Sequence, residues 1–496
     1  MNILSDRFSE IKKASEPLYR TPKSVQETVE ILKISEGGIF EVAEGRYSKT
    51  YRFSDVNYAT RTENEQESFF QKYCKCLNSF DCTFKITVNN RNRDMEALRN
   101  EVMLGLRNDG FDEMRESYNR IIEEKILEGR QGIEQERYIT VTVKRKNFEE
   151  AKAQFATIEN TMLKSFAELG SRLTPLSGNE RLRILHDYYR LGREDEFNFD
   201  IKKGRITGTD FRNEICNSSI KYHPDHFEDE GKVGRVLFIK KYPTYLSDRF
   251  FTEFTFLPVH SITSVDVVPV PKDLTMKMLQ KKYLGIESDI IKQQRTRNRN
   301  NDFSSDISYA TRQKKRDIEE IMNNVRENDE SLFYVSVTMI VMAESKDELD
   351  SICETIDSIA KGAGCAVDTC MYRQREAINT TLPIGVRQIE TMRTMLTQSL
   401  AVLMPFNVQE LCDSDGIYYG VNQISRNIIV GNRKKLLNGN GFIFGVSGAG
   451  KSFQAKMEMG SVLLSTDDNV IAVDPMSGAK RSYLKRVGAI FIKLYA

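Results

Sequence analysis

Residues 445–452 read Gly445-Val446-Ser447-Gly448-Ala449-Gly450-Lys451-Ser452, the pattern G-x-x-x-x-G-K-S. This pattern works only as a turn from a strand into a helix. Its glycines let the loop curl until backbone N–H groups point inward at phosphate oxygens. The helix that follows offers its own orphan N–H groups and its dipole to the same anion. Lys451 then reaches the β- and γ-phosphates, and the Ser452 hydroxyl ligates Mg²⁺. The candidate nucleotide-binding residues are therefore Gly445, Val446, Ser447, Gly448, Ala449, Gly450, Lys451, Ser452 and the adjoining Phe453, with ATP and Mg²⁺ as ligands.

The flanking residues agree with that turn. Residues 441–444 form a short apolar run that reads as a buried strand, and 452–464 is free of Pro and compatible with helix. Residues 469–474 read as a second buried strand closed by Pro475, and 489–494 as a third. Strand, loop, helix, strand, helix, strand opens a parallel α/β sheet. Asp474, at the end of the second strand, is a candidate for the Mg²⁺ shell beside Ser452. The 45 residues after Lys451 contain no apolar strand ending in Asp-Glu, so no catalytic residue is assigned. The expectation is a truncated or split form of a longer ATPase, with negligible turnover of its own because the water-activating acid and a charge-neutralising arginine are missing.

Before the loop lies room for several cores, since 496 residues suggest about three domains. With 72 basic and 71 acidic residues, no global field steers the chain to nucleic acid or an anionic membrane. No apolar run approaches the length of a membrane span, no signal core opens the chain, and no paired CxxC appears, which favours a reduced, cytosolic setting. Cys74 and Cys76 read as two positions on a helix.

Residues 1–36 are polar and read as a peripheral arm. Residues 37–205 alternate strand and helix patterns: a hairpin around Glu44-Gly45-Arg46, then helix, strand, a long charged helical stretch, strand and helix. Residues 206–400 repeat the cycle, with a charged helical insertion over 272–326. The expectation is two α+β lobes, each with its own sheet, followed by the P-loop domain from 401 to 496. Tyr138-Ile-Thr-Val-Thr142 and Tyr334-Val-Ser-Val-Thr338 echo one another, which fits either a duplicated module or coincidence. The basic cluster at 292–299 and 312–316 mixes with acids and few aromatics, and reads as the solvated tip of a helical hairpin rather than a nucleic-acid site. His223-Pro-Asp-His226 has metal-like spacing but no neighbouring His or Cys cluster in sequence, and reads as a surface loop.

Three further stretches are distinctive. They are Gly416-Ile-Tyr-Tyr-Gly-Val-Asn422 with its continuation to Val430, the turn Asn438-Gly-Asn440-Gly441 abutting the P-loop, and Gly38-Ile-Phe-Glu-Val-Ala-Glu-Gly-Arg46 with its continuation to Asn57. Together with Asp306-Ile-Ser-Tyr309 they resemble the conjugative transfer ATPases of type IV secretion systems, the VirB-type, TraC/TraE-like family, over residues 20–475. The resemblance implies an α+β N-terminal region leading into a RecA-like P-loop sheet of the HerA/FtsK type. It also implies a hexamer when full-length, cytoplasmic and peripheral to the cell membrane, working with other secretion-channel subunits at its inner face. DNA contact is compatible with the family and not readable from these residues. Where the family usually carries an acidic residue and an aromatic after Asp474-Pro475, this chain has Gly478 and Ala479. The alternatives are a non-catalytic docking fragment of the secretion channel, or a DNA translocase or helicase of the same superfamily.

Overall fold

In the computed structural model, residues 22–92, 95–128, 133–243, 245–299, 309–327, 329–408, 411, 413, 416–422, 427–436, 438–473 and 490–492 are described. The chain is α+β, built on one large open sheet whose strands all pair antiparallel. The first half supplies β1 (Lys33–Ile34), β2 (Ile39–Ala43), β3 (Arg46–Phe53), β4 (Thr83–Asn92), β5 (Ile133–Lys144) and β6 (Leu173–Pro175). The second supplies β7 (Ile220–Tyr222), β8 (Phe227–Asp229), β9 (Lys232–Lys241), β10 (Ser261–Val270), β11 (Leu332–Ala343), β12 (Ala366–Thr369) and β13 (Arg393–Leu396).

The spatial order is β1-β2-β3-β5-β4-β10-β11-β9-β8-β7. Read outward from the central β4–β10 pair, the halves mirror one another. Each runs central strand, long strand, hairpin strand, hairpin partner. The short strands β6 and β12 join β3 and β9, which hold equivalent places. Helices repeat in step. The first half carries α1 (Glu63–Asn78), α2 (Met95–Val102) with α3 (Asp112–Glu128), α4 (Phe148–Leu169) and α5 (Gly178–Tyr189). Two short helices, α6 (Ile201–Thr207) and α7 (Phe211–Ile215), link the halves. The second half carries α8 (Arg249–Thr255), α9 (Lys272–Arg299) with α10 (Tyr309–Glu327), α11 (Lys346–Gly362) and α12 (Gln374–Thr381), followed by α13 (Thr397–Ala401). The Tyr138 and Tyr334 segments fall on β5 and β11, the same place in each half.

Two expectations are corrected here. The halves share a single sheet rather than holding one each, because β4 and β10 pair along seven residues, from Asn90 with Ser261 to Phe84 with Val267. Residues 25–31 are not a loose arm, since Val25, Val29 and Ile31 are buried in the core beside α5 and α12.

Strand alternation explains how one sheet serves two layers. On β4, Phe84, Ile86 and Val88 point to one face and meet Ile139 and Val141 of β5, Val265 and Val267 of β10, and the helices α1, α4 and α11. Each such fully buried side chain contributes about 1.5–3 kcal/mol. The intervening residues, Lys85 and Thr87 on β4 with Ser264 and Asp266 on β10, face the other way, onto residues 380–391. There Lys85 Nζ donates to the carbonyls of Thr380, Leu382 (3.3 Å) and Val386 (3.0 Å). Arg387 grips Asp266 in a two-pronged pair at 2.7 and 2.8 Å. Burial pulls the Lys85 ammonium down to about 8 against the pull of Asp266. Burial works to raise Asp266, but Arg387 and Lys85 outweigh it and hold the carboxyl below its usual range. The seam between the halves is thus apolar on one face and a hydrogen-bonded ionic cluster on the other.

Helix limits are written locally. The Asn147 side chain accepts from the Glu150 N–H at the start of α4, and Gly170 closes it at φ +78°.

Candidate nucleotide site

The P-loop leads into α14 (Lys451–Ser465). Gly448 and Gly450 take φ of +83° and +84°, a region that side chains with a Cβ rarely adopt, so the glycines are what permit the curl. Gly445 approaches closely too: a Cβ there would lie 3.2 Å from that of Ala449. No side chain caps the helix N-terminus, which leaves its first-turn N–H groups available to an anion. Lys451 Nζ folds back onto the carbonyls of Gly445 (2.7 Å) and Val446 (2.8 Å). These are neutral acceptors, and a phosphate would compete with them for the ammonium with full negative charge. Ser452, next on the helix, and Phe453 are exposed. This donor set fits a Mg²⁺-nucleotide: cationic lysine, hydroxyl and uncapped helix start lie within eight residues. The other expected metal residue, Asp474, lies outside the described residues.

The sheet around the loop differs from expectation. Residues 441–444 form no strand: Phe442 and Phe444 stack on each other at 5.7 Å and are 82% and 88% exposed. A parallel strand takes its hydrogen bonds from neighbours on each side. The nearby parallel pair, β16 (Ile471–Val473) and β17 (Ile490–Ile492), joins only its own two members among the described residues. A RecA-like parallel sheet is therefore not what these residues display.

What holds α14 comes from elsewhere in the chain. The hairpin of β14 (Ile417–Val421) and β15 (Ile428–Gly431) lies against it. Glu458 of α14 receives Arg433 at 2.6 Å and the Tyr419 hydroxyl at 3.0 Å, and the Arg433 guanidinium covers the Tyr419 ring. The α2–α3 hairpin, inserted between β4 and β5, packs Leu98, Val102, Tyr118, Ile122 and Ile126 on Ile428 and Val430. Leu104 and Phe111 of its connecting turn and Met114 at the start of α3 pack against Leu464.

Two arginines of this insertion finish the helix. Arg115 is 1% exposed and donates through Nε to the Leu464 carbonyl at 3.2 Å, while its other nitrogens bind Asp109 (2.6 Å) and Asp112 (2.8 Å). Arg107 donates to the Ser465 carbonyl at 2.9 Å and binds Asp467 at 3.0 Å. The last carbonyls of a helix are its negative pole, so guanidinium groups there are favoured. The hydrogen bond to Arg115 brings the Asp109 carboxyl down to about 2. One end of α14 thus carries Lys451 and Ser452, and the other meets the guanidinium groups of Arg115 and Arg107. Sequence reasoning found the loop and missed this support, because nothing local ties Arg115 to a helix some 350 residues later.

Two further stretches singled out in the sequence fall on helices of the framework. Cys74 and Cys76 are buried on α1, where burial raises both thiols to about 12. The cluster 292–299 and 312–316 lies on the α9–α10 hairpin, where Lys315 binds Glu287 at 3.0 Å and covers the Tyr283 ring. Residues 300–308 of that hairpin are outside the described residues. No described helix is long and apolar enough to cross a membrane. No protein-family model matches the chain, and no curated protein matches it.

Proposed function

We propose that this chain is the ATP-binding component of a conjugative DNA-transfer or type IV secretion machine, energising assembly or substrate export. The single observation that carries the nucleotide half of this reading is the loop 445–452, with its two left-handed glycines and Lys451 at the uncapped start of α14. The transfer half rests on the sequence resemblance over residues 20–475. In this reading Lys451 leaves the loop carbonyls for the β- and γ-phosphates, and backbone N–H groups of the loop take the remaining oxygens. Ser452 supplies a hydroxyl to Mg²⁺, which when bound neutralises phosphate charge. Arg115 and Arg107 keep α14 from retreating when an anion loads its other end.

The direct test is transfer frequency from donor cells in which the protein carries Lys451→Ala. The expected result is a fall of several orders of magnitude with normal protein levels. Transfer at the wild-type frequency would overturn the proposal.

A further inference from the structure

β7 and β8 meet in the turn His223-Pro224-Asp225-His226, closed by the His223 N–H donating to the His226 carbonyl at 2.8 Å. The turn sets both imidazoles side by side, with ring centroids 4.3 Å apart and planes inclined by 10°. The return strand adds a third donor. Glu228 sits opposite Lys221 in register, and its Oε1 lies 3.1 Å from His223 Nε2. That nitrogen is shielded from water, yet it makes no properly aligned hydrogen bond to the carboxylate or to any other group. One donor atom from each of His223, His226 and Glu228 lies within 4.8 Å of the others. Two ligands on a tetrahedral zinc, each bound at about 2.0–2.2 Å, sit roughly 3.3–3.5 Å apart. The His223–Glu228 separation is close to that edge without a metal to draw it in.

The surroundings are those of an oriented ligand set. His226 Nδ1 is 2.7 Å from Asp225 Oδ1, which leaves Nε2 as its free donor. Asp225 is in turn held by Arg235 at 3.0 Å and Lys346 at 2.9 Å. A carboxylate behind a ligating histidine fixes the ring and raises its basicity. The turn is also pinned from outside, where the Tyr372 N–H donates to the Pro224 carbonyl at 2.6 Å. Lys221 lies 3.6 Å from Glu228, but its side chain is 74% exposed and free to swing into solvent.

We propose that His223, His226 and Glu228 form a binding site for a divalent cation of the zinc class, with water in the fourth position. Two imidazoles and one carboxylate are a borderline donor set, suited to zinc rather than to calcium or magnesium. The site lies on the sheet edge, far along the chain from the P-loop, and is independent of the nucleotide reading.

The test is a Zn²⁺ titration of metal-stripped full chain against a chromophoric chelator, repeated with Co²⁺ for its visible spectrum. Wild type should bind one equivalent, and His226→Ala and Glu228→Gln should each weaken binding at least tenfold. Asp225→Asn should weaken it by about 10–100-fold, the range for a lost outer carboxylate. Superimposable melting curves for the metal-free proteins will show that the surface turn tolerates these changes. The Co²⁺ form should show d–d bands without thiolate charge transfer. Equal zinc affinity in wild type and the His226→Ala, Glu228→Gln double variant would overturn the proposal, as would a thiolate–cobalt band placing the metal on cysteine.

Discussion

The two halves of the sheet insert a helical hairpin at the same point, between the central strand and the long strand, and put it to different use. In the first half α2–α3 is short and acidic, with nine Asp or Glu against five Lys or Arg over residues 95–128. It packs an apolar side on β15 and α14 and sends Arg107 and Arg115 to the carbonyl end of the P-loop helix. In the second half α9–α10 is long and basic, with thirteen Lys or Arg against nine Asp or Glu over 272–327. Its described contacts are chiefly between its own two helices, as in Lys315 with Glu287 and Tyr283. A repeated framework thus leaves one hairpin to carry the helix that follows the loop 445–452. The difference lies in a few side chains rather than in topology: a buried guanidinium with two carboxylates on one side, exposed lysines on the other.

The largest expected effect follows from that contrast. Arg115→Ala removes the cation shared by Asp109, Asp112 and the Leu464 carbonyl. The cost is about 3 kcal/mol, the low end for breaking a buried ion pair, because the carboxylates keep some solvent. Limited proteolysis should show faster cleavage within residues 411–473 and an unchanged sheet core. If cleavage there matches wild type, α2–α3 is not what holds α14.

Next comes the seam that makes one sheet of two halves. Lys85→Met leaves three backbone carbonyls and Asp266 without their ammonium and should cost about 2 kcal/mol in urea unfolding. Fluorescence and far-ultraviolet dichroism should still give coincident transitions. Two separated transitions would show that the halves are independent lobes after all. The pH dependence has a definite sign. Folding lowers the Lys85 pKa to about 8, so between there and its unfolded value of about 10.4 the unfolded chain binds more protons. Wild type should therefore gain stability relative to Lys85→Met as pH rises from 8 to 9.5. A gap that narrows over that window would contradict this placement of Lys85.

The smallest effect is on the second hairpin. Lys315→Ala breaks a half-exposed pair on the protein surface and should leave stability close to that of wild type. A loss as large as that of Arg115→Ala would erase the distinction between the hairpins.

Much of the framework was readable from the chain itself. α4 begins and ends at residues 148 and 169, as its pattern, Asn147 and Gly170 imply, and the hairpin β2–β3 turns at Gly45 as expected. The strand patterns read in the two halves fall on β4, β5, β10 and β11. What stayed hidden was pairing across long separations. Lys85 on β4 looks like any solvated lysine until Asp266 and residues 380–386 come over it. The stretch 94–128 reads as one charged helix, yet Gly105 and Gly110, at φ +84°, lie in the turn that divides it into α2 and α3. His223 and His226 were visible as a spacing, whereas Glu228 joins them only once β8 folds back on β7. The loop 445–452 could be read in full from the sequence, and its left-handed Gly448 and Gly450 precede α14 as the pattern requires. The apolar run at 441–444 was misleading, because hydrophobicity marks a strand only where neighbours exist to pair with it.

The claim on which the functional account turns is that the loop binds nucleotide through Lys451. Equilibrium binding of a fluorescent ATP analogue with Mg²⁺, compared between wild type and Lys451→Ala at matched melting temperature, measures it directly. The account predicts a loss of about 2–5 kcal/mol in binding free energy, the range for removing one side of a close charge pair. Equal affinity in the two proteins would contradict it.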